Sequence, residues 1–156
     1  MSEHTVNVRW SRGSTTAADF AGKRYSRSHE WRLDSGVVLA AAASPSVVPL
    51  QWTNPMGIDP EEAFVASIAS CHMLWFLATC SQRGHVVDSY DDDPVGVLAK
   101  NAHGKLAITS VTLRPKVSFV DDVDAATVEQ LHHHAHEACF IASSVNCTIV
   151  VEPQSR

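Results

Sequence analysis

The residues of this 156-residue chain best suited to chemistry are its four cysteines, Cys71, Cys80, Cys139 and Cys147. No two form a Cys-x-x-Cys pair, which removes the thioredoxin-type dithiol and the zinc ribbon. What remains is thiol chemistry at separate positions, where the reactive species is the thiolate. An unactivated cysteine on an apolar helix face is simply a small hydrophobe. That inert reading is expected for Cys80, which nine residues at about 100° each place across its helix from Cys71. It is expected also for Cys147, on the inward face of a short terminal strand. Cys71 and Cys139 differ, because each lies on the packing face of a helix where two helices can meet. One such thiol can be oxidised and the other can resolve it. Cys71 sits about three turns into its helix, beyond the reach of the N-terminal dipole, so its activation calls for a cation. Arg24, Arg27 and Arg32 stand just before the second extended segment, and Glu61 is available to orient one of them. A guanidinium held by a carboxylate completes an activation device.

The elements that must position these groups follow from the pattern. Three extended segments come first: Val6, Val8 and Trp10 alternating with polar residues, then His29–Leu33, then GVVLAAAAS after the Gly36 turn. The spacing predicts a helix starting at Asp59, with Pro60 at its first position and Glu62 closing a capping box, so Glu62 has a structural task and Glu61 does not. Its apolar stripe is expected at 64, 65, 68, 71, 75 and 78, ending near Gly84. SYDDDPVG reads as an acidic, turn-rich loop. A long strand is expected over Leu106–Phe119, with Pro115 marking it as an edge or bulged strand. Asp124 caps a second helix with a stripe at Val128, Leu131, Ala135 and Ala138 or Cys139. FIASSV reads as a further helical turn, and NCTIVVEP closes the chain as a strand. The order β-β-β-α-β-α-β is α+β and excludes a doubly wound sheet. At this length a single domain over 1–156 is expected.

DPEEAFVASIASCHMLWFL, residues 59–77, resembles the active-site helix of the OsmC/Ohr family, the osmotically inducible and organic-hydroperoxide-resistance proteins. The family pattern is an acidic residue or Asn, then Pro and Glu, with a Cys ten residues after that Glu; Glu61 and Cys71 fit it. A second signature, Ala-His-Glu-x-Cys, is similar to AHEACFIASSV and places the second thiol at Cys139. The resemblance runs over roughly residues 6–152 in element order. It implies sheets wrapped around two central helices in an intertwined homodimer, and a thiol peroxidase acting on organic hydroperoxides. Cys71 would become a sulfenic acid, Cys139 would close a Cys71–Cys139 disulfide, and an external dithiol of lipoyl type or a small thiol would reduce it. The activating arginine comes from the N-terminal hairpin, which points to Arg27 in YSRSHEW, with Arg24 and Arg32 as alternatives. Phe64, Met73, Trp75 and Phe140 are the candidates for an apolar substrate mouth. In the family Pro commonly follows the second Cys; here Phe140 does, so the helix break at that thiol is open. His72 lies outside the family pattern and is turned about 100° from Cys71, which suits a surface or interface role better than a general base.

LHHHAHEAC brings His132, His136 and Cys139 to one helix face at i, i+4 and i+7. Such a set can bind a transition metal, but no fourth ligand is evident, and neither metal nor other cofactor is expected. The two competing readings are therefore a His/Cys metal-binding protein and a non-catalytic OsmC-like protein that binds a small apolar ligand. The net charge of −5 and the lack of a compact Lys/Arg patch argue against nucleic acid. The N-terminus has no apolar core of a secretory signal, and the runs Val37–Ala43 and Ile68–Ala78 are too short to span a bilayer. The expected compartment is the cytoplasm.

Overall fold

The computed structural model describes residues 1–154. Its contacts divide the chain into two compact units, Met1–Ala63 and the remainder from Phe64. The architecture is α+β, as expected, with three α-helices and three separate sheets among the described residues.

The first unit is an antiparallel sheet in the order β1 (Val6–Arg9), β2 (His29–Leu33), β3 (Val38–Ala41), with Val8 opposite Trp31 and Trp31 opposite Leu39. Gly36, at φ +85°, supplies the left-handed residue of the β2–β3 turn. Between β1 and β2 lies a short helix, α1 (Ala17–Ala21), that the sequence reading missed. The signal was present: Thr16 caps the Asp19 N–H and donates to its carboxylate at 2.7 Å. The helix supports an aromatic cluster in which Phe20 and Tyr25 stack at 4.5 Å and Trp10 meets both.

The helix expected from the capping box is α2 (Pro60–Gln82). Asp59 accepts from the Glu62 N–H at 2.7 Å, and Glu62 accepts from the Asp59 N–H. At its far end Gly84 adopts φ +80° and the His85 N–H closes on the Cys80 carbonyl at 2.9 Å, the Schellman geometry. The buried line along α2 differs from the expected stripe. It runs Ile68, His72, Phe76, Cys80, a strict i, i+4 series with an imidazole in its second place. His72 is 1% exposed, so its expected surface or interface placement is overturned within the chain itself. Once formed, α2 is also long and apolar enough to cross a membrane by length and composition, with a mean hydropathy of 1.6, because the helix extends well beyond the run Ile68–Ala78. Within the chain it buries Ile68, His72, Phe76 and Cys80.

The rest of the second unit corrects two expectations. SYDDDPVG is not a loop: β4 (Val87–Asp92) and β5 (Val95–Lys100) run through it. Tyr90 turns inward against Phe76 while Asp88 and Asp91 face out, so the charges hid the alternation. Leu106–Phe119 is not one strand but two, β6 (Leu106–Leu113) and β7 (Pro115–Phe119), separated at Arg114. Pro115 cannot donate to a ladder and opens β7, while the Arg114 N–H goes to the Asp92 carboxylate at 2.6 Å. β7 pairs with β4, whereas β6 pairs with β5 and, in parallel, with β8 (Thr148–Val151). A Cβ at Gly96 would collide with Val65, so glycine on β5 lets α2 lie close to this sheet. α3 (Ala125–Ala138) begins at Asp124, which caps the Thr127 N–H at 2.9 Å as expected.

Candidate functional site

Two core clusters hold the helices. One joins Phe76 and Cys80 of α2 to Val117, Phe119, Leu131 and Ala135; the other joins Ile68 to Val111 and Leu113. Phe76 is fully buried, and truncating such a side chain costs about 3–5 kcal/mol, so α2 and α3 are firmly placed.

At their contact the two cysteines singled out by sequence meet. The side chain of Cys71 lies close enough to Cys139 to raise the Cys139 pKa, and both are free thiols. Cys139 is 1% exposed, whereas Cys71 is half-buried. Burial pushes the Cys139 thiol pKa upward and the Cys71 contact adds to this, opposed by the Ala142 N–H donating to its Sγ at 3.4 Å. Cys139 is therefore held protonated, and Cys71 is the more open of the pair. Cys139 also ends α3. Its backbone is extended, at φ −70° and ψ 113°, although Phe140 replaces the family's proline. The break is held by Ser143, whose N–H and hydroxyl both reach the Cys139 carbonyl at 3.1 Å as the chain enters a 3-10 turn at Ala142–Ser144.

The remaining thiols match the inert reading. Cys80 lies in the first core cluster, where burial pushes its pKa up to about 11. Cys147 precedes β8 and packs against the second cluster.

Of the three arginines, two are committed elsewhere. Arg24 binds Asp19 at 2.9 Å and Arg32 binds Glu30 at 2.8 Å. Arg27 alone of the three forms no ion pair with a carboxylate among the described residues. Its guanidinium donates to the carbonyls of Lys23 and Tyr25 and lies 3.8 Å over the Tyr25 ring. Glu61 is in the first turn of α2, half-buried, and is not ion-paired to Arg27 in this arrangement.

The apolar candidates divide. Trp75, one turn beyond Cys71, meets Phe140, the residue after Cys139, edge-on with ring centroids 5.3 Å apart. Phe64 packs against the second core cluster. Met73 stands about 200° round α2 from Cys71.

The histidine face is rearranged by burial. His132 is 3% exposed and hydrogen-bonds His72 across the helices at 3.0 Å, a partnership that no sequence spacing announced. Among the described residues, no group of three or more His, Cys, Asp or Glu side chains is placed to hold a metal ion.

A model of the OsmC-like protein family matches residues 53–154. Among solved structures, an OsmC-like protein of unknown function from Vibrio cholerae O1 biovar eltor is 45% identical, with a TM-score of 0.94 over 99% of this chain and 100% of that one. The organic hydroperoxide resistance protein OhrB of Bacillus subtilis is 20% identical with a TM-score of 0.70, covering 97% of this chain and 98% of its own. An organic hydroperoxide resistance protein from Elizabethkingia anophelis is 14% identical with a TM-score of 0.68, over 97% and 95%. The last two show likeness of fold alone. No curated protein matches the chain.

Proposed function

The chain belongs to the OsmC-like family, and on that premise we propose that it is a cytoplasmic thiol peroxidase that reduces organic hydroperoxides. The observation that carries this reading is the proximity of Cys71 and Cys139, two thiols far apart in sequence, on α2 and at the end of α3, near enough for the first to shift the pKa of the second. Proximity of this kind turns disulfide closure into an intramolecular step.

The Cys71 thiolate attacks the peroxide O–O bond; sulfur takes one oxygen as sulfenic acid, and the departing alkoxide takes a proton to leave as alcohol. Cys139 then forms the S–S bond and the sulfenic hydroxyl leaves as water, taking the Cys139 proton. Two thiols of an external reductant, a dithiol of lipoyl type or a small thiol, restore both cysteines. The burial of Cys139 and its raised pKa suit the resolving role, since it meets no bulk oxidant. Arg27 is proposed as the guanidinium that favours the thiolate, with Glu61 as its orienting carboxylate. Its lack of a carboxylate partner leaves its charge available for this, unlike those of Arg24 and Arg32. Trp75 and Phe140, with Phe64, are proposed to give the mouth its preference for apolar peroxides, whereas Met73 is turned away from Cys71. The assembly is proposed to be a homodimer, because only 22% of the apolar window of α2 is buried within the chain.

The test is turnover of tert-butyl hydroperoxide with a dithiol, followed by peptide mass spectrometry. Cys71→Ser should abolish turnover, and Cys139→Ser should accumulate sulfinic acid at Cys71. Wild-type turnover in Cys71→Ser would sink the mechanism.

A further inference from the structure

The buried pair His72–His132 has no part in the peroxide chemistry above, yet it lies between the elements that carry both thiols. His72 follows Cys71 directly on α2. His132 precedes Cys139 by seven residues on α3, two turns along the same face. Nε2 of His72 and Nδ1 of His132 are 3.0 Å apart, the ring planes are within 7° of parallel, and the centroids are 5.3 Å apart. With the nitrogens so much closer than the centroids, the rings meet edge to edge, as a hydrogen bond requires. They are not stacked face to face. Phe76 covers the face of His132 with centroids 4.1 Å apart, and Tyr90 stands beside it at 6.5 Å.

The outer nitrogens, Nδ1 of His72 and Nε2 of His132, are buried with no hydrogen-bond partner in the chain. Two neutral imidazoles joined in this way must take matched tautomers, one donating and the other accepting. Leaving polar atoms unpaired in a core is costly, and an apolar pair of similar volume would pack there without that cost. What the imidazoles add is direction. Leucine side chains can slide past each other, whereas an N–H···N bond fixes one helix against the other along its length.

We propose that the His72–His132 hydrogen bond is the positioning element that sets the register of α2 on α3 and so brings the sulfur of Cys71 to that of Cys139. Both histidines are positioning residues, acting through the helices. The inference rests on the Cys71–Cys139 pairing proposed above, and its test reads disulfide formation without any peroxide.

The full-length reduced protein is equilibrated at pH 7 in glutathione buffers, and the Cys71–Cys139 disulfide is quantified by peptide mass spectrometry. His72→Leu/His132→Leu removes both rings together and should stay folded. Its disulfide equilibrium constant should fall at least tenfold, while the melting temperature changes by only a few degrees. His132→Asn places an amide where Nδ1 stands and should keep the constant within threefold of wild type. A wild-type constant in the folded leucine pair would overturn the proposal. If that variant does not fold, His132→Leu against His132→Asn makes the same comparison: a tenfold gap supports the clamp and equal constants overturn it. A wild-type protein that forms no such disulfide would overturn both the clamp and the resolving step. One that forms it, with leucine variants unchanged, would overturn the clamp alone.

Discussion

Imidazoles sealed in the same core resist protonation, and here that makes the helix pair sensitive to acid. Burial holds the pKa of His72 down at about 4, with the nearby His136 opposing a second charge. Burial and His72 hold that of His132 at about 3. Both lie below the ordinary 6.5, so the unfolded chain takes up protons first as pH falls. Stability is therefore complete above pH 6.5 and is lost as pH drops through the window down to about 4 and about 3. The slope is at most about 1.4 kcal/mol per pH unit for each histidine. Asp92, beside Tyr90 on β4, works in the opposite sense, since burial and then Asp93 and Asp91 raise its pKa, so its protonation favours the fold as pH falls. Urea midpoints measured from pH 7 to pH 4.5 should fall steadily, and His72→Gln/His132→Asn should flatten the trend. A wild-type midpoint that does not move between pH 7 and pH 5 would show that these rings are not held neutral.

The elements show which features can be read locally. The start of α2 is spelled out within four residues, and the structure forms that box as written. Asp59→Ala should remove the cap and cost about 1 kcal/mol, lowering the melting temperature by roughly 2–4 °C for a chain of this size. Glu62→Gln, which keeps the reciprocal acceptor, should cost less. Equal and negligible shifts in both would mean that the helix start is held by packing alone. The cap of α3 at Asp124 and the end of α2 at Gly84 were legible for the same reason: the determinants are neighbours in sequence. β4 and β5 were hidden because their polar outward positions, Asp91 and Asp93 among their neighbours, mask the inward turn of Tyr90. The site divides along the same line. Cys71 and Cys139 could be singled out because each sits at a readable place on a helix. The His72–His132 bond could not, because burial of a polar side chain depends on a partner supplied by a distant element.

For the whole molecule, the sheets and the long helix both carry unsatisfied demands. β4 and β7 form a sheet of only two strands, and such a ribbon is marginal alone and leaves ladder groups open at its edges. β1 is a four-residue strand with every residue exposed, and it pairs on one side only. On α2, Leu74 is 62% exposed, and beside Trp75 the ring of Phe140 is 70% exposed. Soluble monomers seldom leave this much apolar surface of a core helix uncovered, and a second copy offers both apolar area and strand edges of the right kind. Sedimentation at micromolar concentration should accordingly give twice the chain mass, and the melting temperature should rise with protein concentration. Leu74→Glu places a charge on the uncovered side of α2, away from the His72 line, and should shift the species to single-chain mass with an earlier melt. A wild-type protein that sediments as one chain at high concentration, with a melt independent of concentration, would mean that these surfaces face water and that the proposed thiol site must be complete within one copy.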